Sequence, residues 1–133
     1  MLKFCVAYAA TAATFLLVDL LWLGFAVKGF YRSNIGALLA DEINIAAALT
    51  FYLLFIVGIV IFAISPALES GSWRTSLIMG GLFGFFAYAT YDMTNLATLR
   101  DWPISVAAVD MAWGTFLTAL SATAGFFASK YFI

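Results

Sequence analysis

Apolar residues run almost unbroken through four stretches of this chain, and the polar residues that interrupt them gather in a few places. A membrane-spanning helix needs about 20 predominantly apolar residues. Phe4 to Val27, Ile45 to Ile64, Leu77 to Leu96 and Ile104 to Phe127 all meet that length. None shows the alternation of period two that a barrel strand requires, and backbone groups in lipid must be paired within the segment. The pattern therefore predicts an all-α, four-transmembrane-helix bundle. Four crossings place both termini on one face of the membrane, side A, and the first and third loops on the other, side B.

The connections refine this outline. Between Lys28 and Asn44, the residues Tyr31, Ile35, Leu38, Leu39 and Ile43 recur at helical spacing with Ser33 and Asn34 as caps. That spacing fits a short amphipathic helix in the interface, or an ordinary connector. The second helix is expected to start behind Asn44 and to stop at Ser65-Pro66. Trp73 beside Arg74 reads as an interfacial anchor. The third helix opens with Gly80, Gly81 and Gly84, small residues that let a neighbouring helix approach closely, so the stripe suits a homodimer. Pro103 fits the first turn of the fourth helix, along which Thr118, Ser121 and Gly125 form a packing stripe.

The polar residues supply the candidate chemistry. In Tyr88-Ala-Thr-Tyr91-Asp92-Met-Thr94-Asn95-Leu-Ala-Thr98, Asp92 and Asn95 share a helix face with Tyr88, Gly84 and Gly80. Counted from the side B helix ends, Asp19 lies about 12 Å deep, Asp110 about 10 Å and Asp92 about 6 Å. Matched depth predicts one pocket opening toward side B, with Asp19 and Asp110 as its floor and Asp92, Asn95, Thr94 and Tyr91 at its rim. There Asp92 would be neutralised by water or Arg100. Asp19-x-x-Trp22 and Asp110-x-x-Trp113 repeat on helices of opposite direction. The repeat fits an inverted pair around a central site, or simply an indole bonding the carboxylate one turn away. Each aspartate near a helix centre costs about 2.5–3.5 kcal/mol on insertion scales. No Lys or Arg within the spans offsets that cost, which points to a functional cluster, although bonding to Trp, Tyr and Thr donors would make the same residues packing glue.

Composition narrows the chemistry. Across 133 residues, 65% hydrophobic and 10% charged, there is room for one transmembrane domain, 1–133. The first run is too long, and interrupted by Asp19, for a secretory signal. A net charge of −1 with scattered Lys and Arg provides no basic stripe for nucleic acid. With no His and a lone Cys5, histidine-based zinc and haem sites and an intrachain disulfide are excluded, and no cofactor is expected. The positive-inside count is tied: Lys3, Arg74 and Lys130 on side A face Lys28, Arg32 and Arg100 on side B. If the pocket holds an ion, Asp19, Asp92 and Asp110 are hard oxygen ligands suited to Na⁺, Mg²⁺ or Ca²⁺. Clustered carboxylates also suit a proton relay or an acid/base pair. The third reading is the cationic head of a lipid or amphiphile, with its tail among the Phe and Trp side chains.

Asp19-Leu-Leu-Trp22-Leu-Gly24, Phe51-Tyr52-Leu-Leu, Gly84 with the Tyr88–Thr98 motif, Trp102-Pro103 and Asp110-Met-Ala-Trp-Gly114 extend over nearly the whole chain. In them the sequence resembles a family of small bacterial predicted membrane proteins classed only as a domain of unknown function. The resemblance implies a four-helix protein of the bacterial inner membrane, and brings no activity, substrate or cofactor. Small multidrug transporters are similar in helix count and in an acidic first helix, in architecture alone. Tyr91-Asp92 resembles an element of intramembrane aspartyl proteases, whose second motif, Gly-x-Gly-Asp, is absent. The leading expectation is a membrane protein whose acidic pocket binds a cation or cationic amphiphile, with movement coupled to protons. The alternatives are a membrane enzyme using paired aspartates on a lipid or isoprenoid, and a structural subunit.

Overall fold

The structure is a computed structural model that describes residues 1–132. Among them are four long helices and no strand: α1 (Leu2–Leu38), α2 (Ile45–Ser70), α3 (Trp73–Thr98) and α4 (Ile104–Phe132). α1, α2 and α4 are long and apolar enough to cross a membrane. α3 carries the polar Tyr88–Thr98 segment, which lowers its hydropathy, but its 26 residues suffice to span.

All four helices are longer than the apolar runs that predicted them. α1 does not end at Val27. It continues through a π-turn at Val27–Tyr31, a turn at Arg32–Ile35 and a 3-10 turn at Gly36–Leu38, so the helical spacing in the first loop belongs to an extension of α1. Ser33 and Asn34 are not caps, because they donate to the carbonyls of Gly29 and Phe30 on the preceding turn. Tyr31 and Ile35 are buried against Trp102 and Val106 rather than lying on lipid.

α2 begins where expected, with the Asn44 side chain accepting the Ala47 N–H at 3.1 Å. It then passes the expected stop at Ser65-Pro66 and reaches Ser70 through a second π-turn, Val60–Ile64. A proline lacks the N–H for the bond one turn back and crowds that carbonyl, and the wider turn just before Pro66 accommodates both effects. Gly71, at φ 68°, supplies the left-handed residue that ends the helix.

Two antiparallel pairs organise the bundle. Along α1 and α4, Lys3 lies opposite Ser129, whose hydroxyl donates to the Lys3 carbonyl at 2.8 Å, and Ala7 lies opposite Gly125. Along α3 and α4, Gly80 faces Ala122, Gly84 faces Thr118 and Tyr88 covers Gly114. A Cβ on Gly80 would stand 2.7 Å from the Ala122 side chain, so the small residues of α3 are used for close packing inside the chain and are not left for a second copy. Two apolar clusters result. The larger, with Phe15, Phe55, Ile59, Ile64 and Leu117, fills the side A half. A smaller one, with Ala26, Tyr31, Ile35, Trp102 and Val106, closes the side B end. Tyr52, Tyr88 and Trp113 border the first and Trp22 the second, so the polar residues lie between two dry cores.

Candidate functional site

The α1–α4 register determines what the aspartates meet. It sets Trp113 opposite Asp19 and brings Trp22 level with Asp110. The Trp113 indole N–H donates to Asp19 Oδ1 at 3.1 Å, and the Tyr52 hydroxyl on α2 donates to Oδ2 at 2.7 Å. Asp110 accepts the Tyr31 hydroxyl at 2.9 Å, and the Tyr31 oxygen accepts the Trp22 indole N–H at 3.3 Å. The two indoles stack between these bonds, with centroids 4.3 Å apart and planes 12° from parallel. Each Trp thus serves the carboxylate of the other helix, directly or through Tyr31. Neither carboxylate takes the indole one turn along its own helix: Asp19 is bonded by Trp113 of α4 and Asp110 by Tyr31 of α1.

Asp92 differs from both. The Gly84 to Tyr88 register places it level with Asp110, and the two carboxyl groups lie against each other. It is 0% exposed, and apart from the facing Asp110 carboxyl neither oxygen has a hydrogen-bond partner among the described residues. The expected shallow position, neutralised by water or Arg100, is therefore overturned: Arg100 is exposed and Asp92 is sealed. The depth count misplaced it because α3 ends later than Leu96 and the α1 extension covers that end of the bundle.

The remaining candidates divide. Tyr91 packs edge-to-face on Trp102 at 5.8 Å, with Asn95 half-buried beside it. Thr94 is exposed and spends its hydroxyl on the carbonyls of Thr90 and Tyr91, so it lies outside the site. Tyr31 and Trp102 were missed by sequence reasoning. The helical recurrence of Tyr31 and Ile35 was visible, but it was the face of a spanning helix rather than of an interfacial one.

The network borders a cavity of about 340 Å³ lined by Asp19, Asp110, Trp22, Trp102, Trp113 and the tyrosines at 31, 52, 88 and 91. The indole N–H of Trp102, a residue 8% exposed in the wall, has no partner among the described residues. A second space, about 380 Å³, lies beside the first and is bounded by Phe51, Ala87, Tyr88, Tyr91 and Asp110. No three acidic side chains among the described residues are placed to hold one metal ion. The expected hard-cation site of Asp19, Asp92 and Asp110 is thus not assembled, and both Asp19 oxygens are engaged by Tyr52 and Trp113.

A model for a family described as predicted membrane protein (DUF2177) matches residues 4–127. The chain belongs to this family. The match reaches into all four helices and takes in every residue of the network, and it agrees with the family resemblance read from the Tyr88–Thr98 motif. Comparison with curated proteins and with solved structures returned no match. The family's function is unknown, so a function can be argued only from the site.

Proposed function

We propose that this protein binds an organic cation in the cavity between α1, α3 and α4, with Asp110 as its counter-charge. The carrying observation is the composition of the wall. Three Trp and four Tyr surround a space bordered by two carboxylates, with no Lys or Arg in the lining. An aromatic face attracts a cation by roughly 2 kcal/mol when water is excluded, and aromatic walls with a carboxylate select weakly hydrated organic cations over metal ions. Asp19 is saturated by two donors, which leaves Asp110, bonded by Tyr31 alone and bordering both spaces, to meet the ligand. Asp92 against Asp110 supplies a second carboxyl through which a proton could be exchanged as the cation arrives or leaves, which supports proton-coupled movement across a bacterial inner membrane.

A second reading rests on the same pair. Two adjacent carboxyls, one bonded and one without a donor, are an acid/base arrangement, so a membrane-embedded enzyme acting on a lipid or isoprenoid is the alternative.

Fluorescence of the stacked Trp22–Trp113 pair reads occupancy of the cavity. Titration of the purified protein with tetramethylammonium should change that emission saturably, while neutral tert-butanol should not. Equal responses to both would remove the charge-based reading and favour the enzyme.

A further inference from the structure

We infer that the ligand is an amphiphile resident in the bilayer, which enters sideways between α2 and α3 and leaves its tail in the space beside Phe51. This rests on the cation reading above and adds the ligand class and its route.

α3 packs on α2 along the π-turn Val60–Ile64, while Ile45–Ile59 makes few close approaches to it. Phe83 stacks on Phe55 at 5.1 Å and on Phe62 at 5.6 Å, and Tyr88 meets Phe55 edge-on at 6.4 Å; beyond Phe55 toward side B no aromatic pair among the described residues joins the two helices. The second space occupies this gap. Its walls are Phe51 on α2, Ala87, Tyr88 and Tyr91 on α3, and the Asp110 carboxylate on α4. Phe51 and Tyr91 are 48% and 56% exposed on membrane-spanning helices, so at this depth the outer end of the gap meets acyl chains and not water.

Tyr88, Tyr91 and Asp110 also border the inner cavity. One carboxylate at the junction of an apolar, lipid-facing space and an aromatic inner one is complementary to a molecule that is apolar at one end and cationic at the other. A compact water-soluble cation would use the inner cavity alone and leave the gap without a role. A zwitterionic phospholipid would bring its phosphate against Asp110 and Asp92 with no basic side chain to receive it. The geometry therefore selects a single-charge cationic amphiphile, an alkylamine or alkylammonium.

The test blocks the gap without touching the inner cavity. Ala87 lines only the outer space, so Ala87→Phe fills it while leaving Tyr31, Trp22 and Trp113 in place. Binding of dodecyltrimethylammonium and of tetramethylammonium to the protein in lipid nanodiscs is measured for both forms. The native protein should bind both probes. Ala87→Phe, with an unchanged circular dichroism spectrum, should lose at least tenfold in affinity for the dodecyl probe and keep its affinity for tetramethylammonium. Equal retention of both probes by Ala87→Phe overturns lateral entry and leaves the cation reading standing. Failure of the native protein to bind either probe overturns the cation reading and this inference together. Should Ala87→Phe fail to fold, Phe51→Trp, which narrows the same gap from the α2 side, is subject to the same outcomes.

Discussion

Asp19 and Asp92, both buried in apolar helices, carry opposite energetic roles. Asp19 accepts from α2 and α4, so it ties α1 to two neighbours. Asp92 has no neighbour but the Asp110 carboxyl to bond with. Interhelical hydrogen bonds in membranes contribute about 1–2 kcal/mol in model systems and less on average. Asp19→Ala should therefore lower unfolding stability by about 1–2 kcal/mol, as it strands the Tyr52 hydroxyl and the Trp113 N–H. Asp92→Asn should leave stability unchanged or raise it, since the amide gives Asp110 a donor and removes a buried acid. Denaturation of both variants in the same detergent checks this; an Asp92→Asn loss as large as that of Asp19→Ala would mean that Asp92 is a structural acceptor after all. The aspartates themselves were legible in the sequence, because a carboxylate in an apolar run stands out by its insertion cost. Their partners were not, because which Trp meets which Asp depends on the register between helices far apart in the chain.

At the scale of elements, the sequence carried the small-residue code more fully than the helix ends. Gly80, Gly84, Tyr88 and Asp92 were recognisable as one face, and they form the α3 face buried on α4. Ends were misjudged where a helix passes a residue that often stops one: α1 runs on through Gly29, and α2 through Pro66, each by widening a turn. The close α3–α4 contact yields a contrast between two glycines. A Cβ on Gly114 would collide with the Tyr88 ring, whereas one on Gly24 meets nothing within 4 Å. Gly114→Ala should push Tyr88 off α4, costing about 1–3 kcal/mol by overpacking and distorting the cavity wall. Gly24→Ala should be neutral or slightly stabilising, from helix propensity alone. Thermal midpoints of the two variants decide; similar values would argue against the tight Tyr88–Gly114 seat.

The molecule as a whole is a helical membrane protein in which two dry clusters enclose one polar layer. Four crossings and a polar centre followed from the apolar runs and the intramembrane carboxylates. The second space between α2 and α3 did not, since it arises from two helices diverging beyond Phe55, which no single-segment pattern encodes. The polar layer holds six groups whose hydrogen bonds link α1, α2 and α4: Asp19, Trp22, Tyr31, Tyr52, Asp110 and Trp113. A layer built only as packing glue would need no space beside it, whereas this one faces about 340 Å³ walled by aromatic rings. That distinction reduces to one carboxylate. Asn at position 110 can still accept the Tyr31 hydroxyl, so the fold survives the change while the charge is lost. Calorimetric titration of tetramethylammonium into the native protein and into Asp110→Asn tests the claim most directly. The account predicts affinity reduced by roughly tenfold or more, the equivalent of about 1.4 kcal/mol, at an unchanged thermal midpoint. Equal affinities for the two proteins would contradict it.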